Sequence, residues 1–233
     1  MTFTVDFNHG GGFVPGLPSG RPKGGYYLKG KRIPSVTTIL GRFKESGGLI
    51  HWAWQLGREG KDYREERDSS ANAGKLAHSA VEAWIRGQPF SFEAKAGHDV
   101  VVRAQTSFGA FLKWANQTHL RATHTEVPLI SKEYLYGGTF DAILIDDRRA
   151  MGDWKTSNGV YPEYLMQLAA YKALWEENFP NDPITGGYHL LRFDKTYGDF
   201  AHHWWGELDT AWEAFKHLRA LYDLDKELKA RTK

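Results

Sequence analysis

The chain has 233 residues, a net charge of +2, nine Trp, eleven Tyr, thirteen Phe and no cysteine. That length suits one domain with a sizeable core, and the missing thiols exclude disulfides and cysteine-ligated zinc. No apolar run approaches the ~18 residues of a membrane-spanning helix, and the N-terminus lacks a basic-then-apolar signal pattern, so a soluble, cytoplasmic protein without membrane partners is expected.

Residues 1–25, rich in Gly and Pro, read as an irregular or flexible lead-in to a single domain over 26–233. YYLKGKRIP (26–34) reads as a short hairpin around Lys29 and Gly30. Ser35 suits the N-cap of a brief helix to Leu40 or beyond. A second helix is expected from Leu49 to Gly57, followed by the charged stretch KDYREERDSS (61–70). ANAGKLAHSAVEAWIRG (71–87) has helical periodicity, with Leu76, Ala77, Ala80, Val81 and Trp84 as its apolar stripe. Another helix is expected near 97–118, then strands near 123–131, 134–145 and 149–155. YPEYLMQLAAYKALWEENF (161–179) predicts a helix with Pro162 in its first turn. Strands near 186–193 and 199–205 follow, the second carrying His202, His203, Trp204 and Trp205 on alternate faces, and then an amphipathic helix over 207–229. This order predicts an α/β fold: a central mixed β-sheet flanked by helices, with a helical N-terminal extension.

The chemistry concentrates in GGTFDAILIDDRRAMGDWKTS (137–157). Strand side chains alternate, so Asp153 and Lys155 share a face and Trp154 opposes them. With the turn at Asp146 to Arg149, antiparallel pairing brings Asp141 level with Asp153. Two carboxylates about 4 Å apart repel by roughly 4 kcal/mol at an effective dielectric near 20. A divalent cation with hard oxygen ligands offsets such repulsion, and a neighbouring lysine then acts on water or phosphate. An acid precedes lysine by two residues at four places: Glu59 and Lys61, Glu93 and Lys95, Asp153 and Lys155, Glu227 and Lys229. Only the third ends an apolar run and has a second acid at hairpin distance.

Gly74, His78 and Glu82 are spaced by four and share one helix face. His78 fits two readings: a half-buried imidazole hydrogen-bonded to Glu82, or a metal ligand oriented by it. Gly74 weakens a helix, so a close approach by backbone or substrate is expected there. Gln167 and Tyr171 also share a face, either as an ordinary helix pair or as neighbours of the carboxylates.

The ordered set H-x3-E, G-T-x-D, D-x-K and Q-x3-Y resembles the PD-(D/E)XK nuclease superfamily, and within it the RecB-type branch, over roughly residues 70–205. KRIPSVTTIL (31–40) is similar to the opening segment of its phage-type members. The resemblance implies a restriction-endonuclease-like core and one or two Mg²⁺ or Mn²⁺ ions held by His78, Asp141, Asp153 and the main-chain carbonyl of Trp154. It implies that Lys155 deprotonates or positions the attacking water and stabilises developing charge. Gln167 and Tyr171 would order the site and touch DNA, with Glu82 and Glu126 in secondary roles. Without cysteine no iron–sulfur cluster forms by thiolate ligation, which places the likeness among cluster-free members. The implied activity is exonucleolytic hydrolysis at single-stranded or duplex DNA ends, in a bacterial or phage-infected cell. Structure-specific or flap endonuclease activity, a binding module without catalysis, and a metal hydrolase with a non-nucleic substrate are the alternatives.

A net charge of +2 requires any phosphate-binding cations to be concentrated locally. Lys23, Lys29, Lys31 and Arg32 form one run, and Arg42 and Lys44 the next; a plain solvated surface has such runs too. Tyr26, Tyr27, Trp52 and Trp54 lie beside basic residues and are candidates for base stacking, worth about 1–3 kcal/mol per base.

Overall fold

The structure, a computed structural model, describes residues 16–92, 96–119 and 121–232. Most of the Gly- and Pro-rich lead-in, and the pair Glu93 and Lys95, lie outside the described residues.

Strands β1 (Tyr26–Leu28) and β2 (Lys31–Ile33) form the expected hairpin. Helix α1 (Val36–Arg42) follows, capped by Ser35, whose Oγ accepts the Thr38 N–H at 3.1 Å. Helices α2 (Gly47–Arg58), α3 (Tyr63–Ile85) and α4 (His98–Gln117) then precede the sheet. Helix α3 begins at Tyr63, not Ala71: the charged stretch is its first turns. Asp62 caps it by accepting the Arg64 N–H, and Glu65 and Glu66 sit where carboxylates meet the positive end of the helix dipole.

Strands β3 (Arg121–Ser131), β4 (Tyr136–Ile145), β5 (Arg149–Lys155), β6 (Tyr188–Phe193) and β7 (Phe200–Trp205) form one sheet in that spatial order. Helix α5 (Pro162–Asn178) crosses from β5 to β6, and α6 (Asp209–Arg231) follows β7. The β5–β6 pair is parallel and the other neighbours are antiparallel, so the sheet is mixed and α5 is the crossover that parallel pairing needs. The fold is α/β, as the alternation of elements predicts.

Two apolar clusters sit on opposite faces. Val36, Ile39, Leu168, Leu174, Trp175 and Phe215 bring α1, α5 and α6 against one face. Ala80, Val81, Phe111 and Trp114 bring α3 and α4 against the other, where they meet Trp154. Along β4 the alternation breaks once. Phe140 and Ile143 both belong to the α5 side, while Ala142 and Leu144 belong to the α3 side. Opposite this point, between the pairs Thr125↔Ala142 and Val127↔Phe140, Glu126 takes a φ of 52°. That left-handed backbone is uncommon and strained for a non-glycine residue. The irregularity falls at Asp141 and Glu126. Among the described residues no helix is long and apolar enough to cross a membrane.

Candidate metal centre

The β4–β5 hairpin pairs from Ile145↔Arg149 to Ala142↔Gly152, and one further step brings Asp141 level with Asp153. The backbone ladder stops there. The Asp141 carboxylate replaces it, accepting the Trp154 N–H on Oδ2 at 2.7 Å, so this side chain lies along the seam between the strands. Its Oδ1 stands 3.7 Å from His78 Nδ1 on α3. Glu126 projects from β3 into the same space, and ligand atoms of His78, Glu126 and Asp141 all lie within 4.8 Å of one another. Ligands on one hard divalent ion, with bonds of about 2.0–2.4 Å, stand no more than about 4.8 Å apart.

Asp153 is fully buried beside this cluster. Lys155 Nζ pairs with its Oδ2, yet neither carboxylate oxygen has a well-directed hydrogen-bond donor. Such orphaned buried oxygens are costly unless a cation completes them. Burial raises the Asp153 pKa to about 7, opposed by Lys155 and reinforced by Asp141. Burial also raises Asp141, against the pull of Lys155 and the Trp154 N–H. Glu126 is pushed up by burial and then by the charges of Asp141, Glu82 and Asp153. Burial and the Lys155 cation lower His78 to about 4, so near neutral pH its imidazole is uncharged, the form that ligates. Burial pulls Lys155 down, but Asp153 and Asp141 more than reverse that, and it stays an ammonium. The Glu126 and Asp141 carboxylates with a neutral imidazole are hard oxygen and nitrogen donors, a set that fits Mg²⁺ or Mn²⁺, and Asp153 lies outside the 4.8 Å group.

Local sequence explains how α3 reaches the sheet. A Cβ on Gly74 would lie 2.9 Å from Thr156 Oγ1, so glycine lets the helix pass close to the end of β5. The close approach expected at Gly74 is therefore to the side chain of Thr156, just past the end of β5. His78, one turn later, lands over Asp141.

Gln167 Nε2 donates to the Tyr171 hydroxyl at 2.8 Å. Tyr171 is buried with its ring against Gly138 of β4, in one cavity wall with Glu126, and burial and the Asp153 and Asp141 charges push its pKa up. Glu82 lines the cleft with His78, but its Oε1 is engaged by Ser19 Oγ at 3.1 Å and Arg86 Nε at 3.1 Å rather than by the imidazole.

Other expectations divide. Lys31 and Arg32 line a separate groove between β1–β2 and α6. Trp52 lies edge-on to Tyr63, 6.5 Å away, and does not line the metal cleft. Tyr26 is a core residue, its hydroxyl 2.7 Å from Thr139 Oγ1, and so is unavailable for stacking; Tyr27 and Trp54 are exposed. Described residues of the lead-in are bound to the site: Gly20 N–H donates to the Glu126 carbonyl at 2.7 Å, and Leu17 packs on the core. Sequence reasoning ranked Glu126 below the other acids and did not single out Arg21, which lines the cleft. An acid inside the apolar strand THTEVPLIS was the available signal for Glu126; Arg21 had none.

No protein-family model matches the chain, and no curated protein matches it.

Proposed function

We propose that this chain is a metal-dependent deoxyribonuclease of the PD-(D/E)XK type, hydrolysing phosphodiester bonds from DNA ends as an exonuclease. The observation that carries this reading is the convergence of His78, Glu126 and Asp141 within 4.8 Å, beside the buried Asp153 and Lys155. A buried cluster of carboxyl groups of this density, next to an ammonium, suits chemistry on a phosphate and serves no evident packing purpose.

Mg²⁺ or Mn²⁺ held by His78, Glu126, Asp141 and Asp153 would polarise the phosphate and lower the pKa of water there. The protein's own part falls to few groups. Asp141 is held by the Trp154 N–H and cannot swing away without breaking that bond. Lys155, paired with Asp153 and lying 5.0 Å from the Tyr164 ring centroid, is fixed at the edge of the cluster. As an ammonium it orients the attacking water and stabilises charge developing on the phosphate oxygens. Tyr171, locked by Gln167, backs the carboxylates and keeps their positions in the low-dielectric interior.

The test is cleavage of end-labelled single- and double-stranded DNA with Mg²⁺, Mn²⁺ or EDTA, beside Asp153→Ala. Metal-dependent loss of substrate that disappears in the variant supports the nuclease, and the product ladder reports exo- against endonucleolytic attack. No cleavage of linear, flap or circular DNA by the wild type overturns it in favour of a binding module.

A further inference from the structure

Three cavities lie next to one another along one side of the molecule, and Arg21 lines all of them. The cleft over the metal centre, about 510 Å³, is bounded by Arg21, Gly74, His78, Glu82 and Glu126. At Arg21 and Glu126 it meets a neck of about 130 Å³, where Ser35, Thr37 and Thr139 also form the wall. Across Arg21, Tyr26 and Ser35 the neck borders a groove of about 730 Å³ between the β1–β2 hairpin and α6.

The charge balance of that groove is one-sided. Arg21, Lys31, Arg32, Arg219 and Lys226 line it against a single acid, Asp223. Asp223 is already paired with Arg219 Nη1 at 2.9 Å, and Arg219 also donates to the Tyr134 and Leu135 carbonyls. The neighbouring Asp225 is held by Arg42 and Lys229. Among the described residues, no ion pair involves Arg21, Lys31, Arg32 or Lys226. Arg21 instead donates to neutral hydroxyls, Thr37 Oγ1 at 3.2 Å and Ser35 Oγ at 3.5 Å. Four unpaired cations in one groove, on a chain with a net charge of only +2, make a local site for a polyanion. Leu28 and Tyr222 add an apolar wall and a ring to the same groove.

We infer that this groove is the track for a single strand of nucleic acid leading to the metal centre. The inference rests on the reading of that centre as the cleavage site. Arg21, at the neck, takes the phosphate next to the scissile one, where its planar fork and the Thr37 hydroxyl match phosphate oxygens. Arg32, Lys31 and Lys226 hold phosphates further along, and a base stacks on Tyr222. A single strand leaves its bases free to stack on a ring, as a duplex does not. The contacts are to phosphate and to ring faces, so the track is indifferent to base sequence.

The test is binding of a fluorescein-labelled oligothymidylate in EDTA, where no metal-dependent cleavage occurs. The double variant Arg32→Ala/Lys226→Ala is compared with Lys113→Ala/Arg148→Ala, an equal charge change at exposed residues that line none of the three cavities. Far-ultraviolet melting confirms that both fold. Loss of two phosphate contacts should weaken binding roughly 10–30-fold near ~0.1 M salt, and lower the slope of log Kd against log salt by about 1.4. The control pair should leave both unchanged. Equal losses in the two double variants overturn the track, as does a wild type that binds a hairpin duplex more tightly than the oligothymidylate. The nuclease reading stands or falls separately, on metal-dependent cleavage.

Discussion

Asp153 is fully buried at the end of β5, with its oxygens out of water and only Lys155 as counter-charge. Its pKa, raised by burial to about 7 from an ordinary value near 4, means that the folded protein binds this proton more tightly than the unfolded chain. Stability is then fullest below pH ~4 and is lost as pH rises towards ~7, the sign expected for a carboxyl raised on folding. In EDTA, wild-type stability measured by urea unfolding should fall by a few kcal/mol, in order of magnitude, from pH ~4 to pH ~7.5 through this group. Asp153→Asn should make that fall shallower, leaving the part due to Asp141 and Glu126; an equally steep profile in the variant would show that Asp153 does not titrate there. Metal affinity should run oppositely, rising over the same window as protons leave the ligands. Lys155→Ala should lower the cleavage rate by about 10²–10³-fold while Mn²⁺ still binds calorimetrically, because it removes a donor to the phosphate and no ligand. Normal turnover in that variant would remove the lysine from the mechanism.

Helix α5 and strand β4 meet so closely that side-chain volume at one position decides their spacing. A Cβ on Gly138 would lie 2.7 Å from Tyr171 Cε1 and 2.9 Å from Leu174 Cδ1. Gly138→Ala should therefore push α5 outward, cost about 1–3 kcal/mol in unfolding experiments, and displace Tyr171 from the carboxylates. An unchanged melting temperature would mean that the ring moves aside without cost. At α1 the Ser35 cap also bonds Thr38 Oγ1 at 2.8 Å and Thr37 Oγ1 at 3.1 Å, so Ser35→Ala should cost about 1 kcal/mol or somewhat more.

Across the whole molecule the centre joins a helix packed on one face to the sheet itself. His78 comes from α3, Glu126 from β3 and Asp141 from β4, so an ion bound to all three ties the N-terminal helices to the sheet. Mn²⁺ at ~100 times its Kd should stabilise the wild type by about 2.7 kcal/mol, a rise of roughly 5–10 °C in melting temperature at this size. Asp141→Ala should abolish the shift, and Glu126→Gln and His78→Ala should each reduce it. A full shift in His78→Ala would return that histidine to a packing role, and one in Glu126→Gln would return Glu126 to the periphery.

The elements were legible in the sequence because they rest on local physics: period-two and helical patterns, the Ser35 cap, Pro162 at the start of α5, the four-residue spacings. Asp141 beside Asp153 was legible too, since one short turn determines their register. The start of α3 was not, because a run of charged residues resembles a solvated connector until Asp62 is seen to cap it. Arg21 depended on tertiary structure alone, and Glu126, legible only as an acid in an apolar strand, depended on it for its place at the centre. Glu126 reaches the centre only because β3 pairs with β4 and its backbone turns at a φ of 52° where the face alternation breaks. Arg21 reaches the cleft because Gly20 bonds the Glu126 carbonyl and Leu17 packs on the core. The burial that raises the carboxyl pKa values is likewise supplied by helices remote in sequence. Spacing along one chain encodes what a strand or helix can place on a face, and only packing decides which faces meet.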